Sequence, residues 1–222
     1  MAIVRIYIEG GTVAHANDAA ATVANTLALR EAFYKLFNQR LGHYDFNLEL
    51  ELGGGWVPTR NSWFKKLGTA DEGKLLVDLD RPAGEEDQRL LQLNIEQPHQ
   101  HLVYFMVQEM ETFFLSQPAI FNLAFANRKR IKPDQAIADD DTIAYNEVRD
   151  IRNPARVVNT ILGRYYRIEK RGKGRKQKYG SKLREGALLL ERVNLEQLTQ
   201  NFPEMLALVT ALFPVVKIKE EE

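Results

Sequence analysis

Two short apolar runs in this chain each stop at carboxylates. The first is Ile3-Val4-Arg5-Ile6-Tyr7-Ile8, closed by Glu9-Gly10-Gly11. The second is Lys74-Leu75-Leu76-Val77, closed by Asp78-Leu79-Asp80 and then Arg81-Pro82. Runs this short, rich in β-branched residues or leucine and ended by turn residues, read as buried parallel strands. In an open α/β sheet ligands collect outside the carboxyl ends of the strands. If the two strands are neighbours, their three acids meet there. Two carboxylates about 4 Å apart repel by roughly 4 kcal/mol at an effective dielectric of 20. Such a cluster calls for a proton, a basic partner or a divalent cation, and all-oxygen ligation suits magnesium or manganese.

The rest of the first half alternates helix and strand. Apolar positions three and four apart (Val23, Leu27, Ala28, Phe33, Leu36, Phe37) predict a helix over residues 18–39, closed by Gly42. Residues 46–52 alternate, with Phe46, Leu48, Leu50 and Leu52 on one side, which predicts an edge strand with one wet face. After Gly53-Gly54-Gly55 a short helix is expected over 58–67, with Pro58 in its first turn. A helix over 85–93, a strand over 101–107 and a helix containing residues 109–115 complete the pattern. Alternation of this kind implies a parallel sheet with right-handed crossovers.

Residues 123–150 show little apolar periodicity and an acidic cluster, Asp139-Asp140-Asp141, and read as a loop or linker. From Asn153-Pro154 onward the pattern is helical, through Leu183 to Val193 and Phe202 to Phe213, with a charged, frayed tail over 217–222. The expected organisation is an α/β domain over 1–125 followed by a linker and a mainly helical extension over 126–222.

Net charge is zero, so only local charge bears on partners. Residues 164–184 hold ten lysines and arginines against one acid, Glu169, with Tyr165, Tyr166 and Tyr179 interleaved. Gly172, Gly174 and Gly180 predict a flexible loop in the middle. Cations displace counterions from a phosphate backbone, and tyrosines stack on unpaired bases. Arg171, Lys173, Arg175, Lys176, Lys178 and Tyr179 are therefore the candidate nucleic-acid contacts. A solvated loop and a surface for an acidic protein are the other readings.

The absence of cysteine excludes disulfides, thiolate zinc sites and a cysteine nucleophile. No apolar run approaches the roughly 18 residues of a membrane span, and the start has no signal-peptide layout, so a cytoplasmic protein is expected. Gly53-Gly54-Gly55 lacks the GxGxxG pattern, and no Walker A motif occurs. His99 and His101, read on one side of a strand, are more often structural than ligands. Trp56 and Trp63 read as core or interface residues.

A strand ending in Glu9-Gly10 and a later strand ending in Asp78-Leu79-Asp80 resemble the TOPRIM domain shared by topoisomerases, primases and OLD-type nucleases. The segment Val107-Gln108-Glu109-Met110-Glu111-Thr112-Phe113-Phe114-Leu115, Asn153-Pro154, Lys178-Tyr179-Gly180 and Phe202-Pro203 resemble an uncharacterised bacterial TOPRIM-like family. Members of that family are thought to act beside AAA- or ABC-type ATPases in phage defence by abortive infection. The resemblance implies a TOPRIM-like, Rossmann-like parallel sheet flanked by helices. It implies Glu9 as general acid/base, Asp78 and Asp80 as magnesium ligands and Glu111 as an additional acid beside a second metal. All four are candidate catalytic and metal-binding residues. Lys65 and Lys66 are the candidates for a catalytic lysine. The implied activity is a magnesium- or manganese-dependent nuclease effector acting on RNA or DNA, with nucleic acid and an ATPase as partners. A homo-oligomer is compatible with the sequence. The rival expectation is a non-catalytic TOPRIM-derived subunit that binds or senses a partner.

Overall fold

The alternation of strand and helix is realised as an open sheet. The computed structural model describes residues 2–10, 19–170, 173–176, 182–212 and 217–218. Strand β1 (Ala2–Ile8) leads to α1 (Ala19–Leu41) and β2 (Tyr44–Leu52). Helix α2 (Trp56–Phe64) precedes β3 (Lys74–Asp78), and α3 (Glu86–Gln92) with a 3-10 turn (Gln97–Leu102) precedes β4 (Val103–Met106). The four strands are parallel, in the order β4-β3-β1-β2. This is a parallel sheet flanked by helices, consistent with a Rossmann-like fold.

The strand order carries the functional argument. From β1 the chain moves outward to β2, then returns to place β3 on the other side of β1. The direction of winding thus reverses between β1 and β3. Reversal puts the crossovers on opposite faces. Val4, Ile6, Ile8, Leu76 and Met106 pack against Leu29, Phe33, Leu36 and Phe37 of α1. Tyr7, Leu75, Val77 and Phe105 face the other way, against Trp63 of α2 and Leu90 of α3. The period-2 alternation of each strand sorts its residues between the two cores. Leu27, expected on the buried stripe of α1, is instead 51% exposed, while Leu29 and Ala32 fill the stripe.

The second half begins with α4 (Glu111–Leu115), α5 (Ile120–Ala124), β5 (Lys129–Arg130), α6 (Asp141–Ala144) and α7 (Pro154–Tyr165). It continues with β6 (Tyr166–Lys170), β7 (Lys173–Lys176), α8 (Ala187–Leu190), α9 (Leu195–Asn201), α10 (Pro203–Leu212) and β8 (Lys217–Ile218). Helices α7 to α10 complete the core on the α1 side. Leu162, Leu190, Leu198 and Leu208 belong to the cluster that holds β1 and α1. The rings of Phe113 and Phe202 meet edge to face at 5.2 Å.

Four expectations are corrected here. Residues 123–150 are not a loop: β5, α6 and two 3-10 turns occupy them, and Ile137 and Asp140 are buried. Part of the basic stretch is strand and not loop, because β6 and β7 pair antiparallel; residues 171–172 and 177–181 lie outside the described residues. Lys217 and Ile218 of the tail pair with Asp45 and Tyr44 and cover the start of β2, leaving the remainder of β2 at the sheet margin. His99 and His101 lie in the 3-10 turn before β4, not on a strand.

Candidate functional site

Glu9 and Asp78 stand at the carboxyl ends of β1 and β3, on either side of the point where the winding reverses. That position is the crevice in which open α/β sheets take their ligands. Backbone hydrogen bonds fix both residues. The Glu9 amide donates to the Leu76 carbonyl at 2.8 Å, extending the β1–β3 ladder by one residue. Gly10 and Gly54 then exchange amide-to-carbonyl bonds at 2.8 and 3.0 Å, so the glycine run after β2 folds back onto the end of β1. Gly54 has φ +85°, and a Cβ on Gly53 would lie 2.5 Å from the Thr59 Cα, which explains why this turn is built of glycine.

The carboxylates themselves are held closely. Glu9 Oε2 accepts the Asp78 amide at 3.1 Å. Asp78 is buried, and its Oδ1 accepts the Met110 amide at 3.0 Å at the entry to α4. The ladder between β3 and β4 continues beyond both strands: Leu79 donates to Met106 at 2.9 Å and Asp80 to Gln108 at 2.7 Å. Asp80 has φ +55°, so the chain swings out of the strand and its side chain is 48% exposed. Asp78 and Asp80 consequently do not share one strand face, as a plain i, i+2 pair does. Glu111 is fully buried one residue beyond Met110, in the first turn of α4.

Sequence reasoning missed the residue at the centre, Arg89 of α3. Its side chain is 1% exposed. Nη2 forms an ion pair with Asp80 Oδ2 at 2.7 Å and lies 3.9 Å from Glu9 Oε2. Nε donates to the Asp78 carbonyl at 3.1 Å and Nη1 to Gln92 Oε1 at 2.8 Å. The guanidinium also sits over the Trp56 ring at 5.6 Å. A signal was present: Arg89 lies four residues before Leu93 and beside Leu90, on the stripe of its helix that faces the core. An arginine there needs acids nearby, because an unpaired buried charge costs several kcal/mol.

Lys66, one of the two candidate lysines, is elsewhere. Its Nζ pairs with Asp71 at 2.7 Å, and Asp71 also pairs with Arg5, at the far end of β3 from Asp78. Lys65 is exposed at the end of α2. Among the described residues, Arg89 is a cation that stands beside Glu9 and Asp80.

The donor set fits a hard divalent cation in kind, since Glu9, Asp78, Asp80 and Glu111 offer only carboxylate oxygen. It also fits in charge. Ionised, Glu9, Asp78 and Asp80 together exceed the single positive charge of Arg89 by two. Among the described residues, however, no three Asp, Glu or His side chains are already gathered as a coordination sphere.

The second candidate surface is the antiparallel sheet β5-β6-β7. Lys173, Arg175 and Lys176 lie on β7, whereas Arg171, Lys178 and Tyr179 fall outside the described residues. Lys129 pairs with Arg167, and Arg167 with Lys176, so three basic positions stand in register across the sheet. Like charges directly opposite are unfavourable. Arg167 Nη1 relieves part of this by donating to the Gly163 carbonyl at 2.8 Å, near the end of α7. Arg130 and Lys132 both sit 5.5 Å from the Tyr165 ring.

The fold and site together define an α/β protein with an acid cluster at the winding-reversal point of a parallel sheet. No protein-family model, no curated protein and no solved structure matches the chain. Among the described residues no helix is long and apolar enough to cross a membrane.

Proposed function

We propose that the chain is a TOPRIM-like, divalent-metal-dependent nuclease that cleaves phosphodiester bonds in RNA or DNA. The supporting observation is the placement of Glu9 and Asp78 at adjacent strand ends, with Arg89 standing between Glu9 and Asp80. Glu9, Asp78 and Asp80, with Glu111 as the further acid, would hold magnesium or manganese, which would supply water activation and charge stabilisation at the leaving oxygen. The chain's own residues prepare that chemistry. The Asp78 amide fixes the Glu9 carboxylate, which serves as general acid/base. The Met110 amide fixes Asp78. The basic rows of β5, β6 and β7 hold the polyanion through its phosphates. An ATPase partner and a role as the effector of cytoplasmic anti-phage defence belong to the same proposal, and rest on the TOPRIM resemblance.

The test is purified protein with magnesium against tRNA, plasmid and single-stranded DNA. Cleavage is expected with the wild type and lost in Glu9→Gln and Asp78→Asn. Cleavage that survives both substitutions refutes the site. One observation favours the second reading, a non-catalytic partner-binding subunit: Arg89 already pairs with Asp80. Calorimetry with magnesium or manganese separates the two, because the non-catalytic subunit binds neither at this cluster.

A further inference from the structure

The Arg89 guanidinium has two kinds of contact. Nε, Nη1 and its face are committed to the Asp78 carbonyl, to Gln92 and to the Trp56 ring, none of which is a carboxylate. Nη2 addresses acids, at 2.7 Å from Asp80 and 3.9 Å from Glu9. The two acids are held differently. Glu9 is tethered by the Asp78 amide. The Asp80 carboxylate is half-exposed, on a residue whose backbone is pinned to Gln108.

We infer that Arg89 is a built-in counter-cation, and that a divalent ion is taken up by drawing the Asp80 carboxylate off Arg89. The inference rests on the metal-site reading above. Arg89 keeps the acid cluster tolerable before an ion arrives, because a fixed positive charge offsets the mutual repulsion of the acids. It also makes the ion compete for Asp80, since the oxygen that contacts the guanidinium has to turn toward the metal. Uptake is then an exchange of partners and not simple filling of a preformed cage. That account agrees with acids that adjoin one another without forming a ready coordination sphere among the described residues. Arg89 is thus a positioning residue acting through Asp80.

The experiment is manganese binding by calorimetry on four full-length proteins: wild type, Arg89→Met, Arg89→Lys and Asp80→Asn. Methionine keeps an unbranched stem beside Trp56 and removes the charge. The expected result is binding at least tenfold tighter in Arg89→Met than in wild type, a return toward wild type in Arg89→Lys, and weak binding in Asp80→Asn. Equal affinity in wild type and a folded Arg89→Met overturns the inference and leaves the metal site standing. No binding by wild type or by either folded Arg89 variant removes the metal site and the inference together. A second measurement needs no Arg89 variant, in case Arg89→Met does not fold. Magnesium should change the tryptophan emission, and Trp56→Phe should abolish that change, because Trp56 carries the guanidinium and the other tryptophan, Trp63, is fully buried with its Nε1 bound to the Gly73 carbonyl ahead of β3. Calorimetric binding with unchanged emission overturns the inference.

Discussion

The Asp80 amide donates to the Gln108 carbonyl at 2.7 Å, and both residues are left-handed, with φ of 55° and 57°. Neither is glycine. Left-handed backbone costs an ordinary L-residue roughly 1–2 kcal/mol, less for aspartate. Two such residues joined at the ends of β3 and β4 mark stored strain beside the acids, and strain of this kind concentrates at functional sites. Asp80→Gly releases part of it while removing the ion pair to Arg89. With Glu9 still 3.9 Å from the guanidinium, the expected outcome is a folded protein within about 1 kcal/mol of wild type, with a melting shift of no more than roughly 2–4 °C. Its manganese binding should be lost. A loss above about 3 kcal/mol would instead make the Arg89 pair structural, with the acids present to compensate the arginine.

Asp78 carries two roles that a substitution can separate. Its Oδ1 holds the Met110 amide at 3.0 Å inside the protein, so Asp78→Ala leaves a buried donor unsatisfied. That costs about 1–3 kcal/mol. Asn keeps an acceptor oxygen at that place. Asp78→Asn should therefore fold to within about 1 kcal/mol of wild type while losing nuclease activity and metal binding. Denaturant melts of the two variants check this. Equal stability of Ala and Asn would show that the capping bond is not worth its usual energy.

What the sequence made legible follows a physical line. Strand ends and turn residues are local, so Glu9-Gly10 and Asp78-Leu79-Asp80 could be placed at strand ends from their neighbours alone. That β1 and β3 are adjacent was only a condition in that argument, and the pairing of Ile8 with Leu76 meets it. Arg89 escaped because its role depends on which helix face meets which strand end, a tertiary fact. The basic hairpin was misjudged for a different reason. Gly174 is an ordinary loop signal, yet it stands opposite Glu169 in the ladder from Arg167–Lys176 to Lys170–Lys173. The segment 123–150 failed because its turns are too short to show a period.

Asp140 sets an acid limit on stability. Burial raises its carboxyl, but the Thr142 hydroxyl and amide and the Arg164 guanidinium more than reverse this, so the net shift is downward. A depressed folded-state value stabilises the protein above the unfolded value near 4 and loses that stabilisation as pH falls through the folded value. Stability should therefore drop below about pH 4, and the drop should be shallower in Asp140→Asn. Urea midpoints between about pH 2.5 and 6 for the two proteins provide the measurement. Parallel acid limbs would remove Asp140 from the account.

Four tyrosines set the alkaline limit. Burial raises Tyr7, Tyr104, Tyr165 and Tyr166, the last to about 12. The Tyr166 hydroxyl donates to Asn122 Oδ1 at 2.7 Å, a bond its ionised form loses. The unfolded chain gives up these protons near pH 10. Between pH 10 and about 12 the folded state holds more protons than the unfolded state, so stability falls across that window as pH rises. Tyr166→Phe should flatten the fall, and the ultraviolet absorbance titration of the phenols should lose a late-ionising group. An unchanged alkaline limb in Tyr166→Phe would show that Tyr166 titrates like an exposed phenol.

The register Lys129–Arg167–Lys176 gives the nucleic-acid surface a quantitative test. Arg167 is tied to the end of α7, so its removal confuses binding with folding. Lys129 and Lys176 stand at the two outer strands of the same row and are the cleaner substitutions. Every phosphate that a protein ceases to neutralise lowers the slope of log affinity against log salt, by about 0.7 on a single strand and about 0.9 on a duplex. Lys129→Ala with Lys176→Ala should therefore reduce the slope by roughly 1.4 on single-stranded substrate and weaken binding at low salt. The register also sets basic residues opposite one another, which is unfavourable without a polyanion. The double variant should accordingly melt no lower than wild type in the absence of nucleic acid. Fluorescence anisotropy over a salt series, with a melt of each protein, reads both effects. An unaltered slope would shift the polyanion surface off this row.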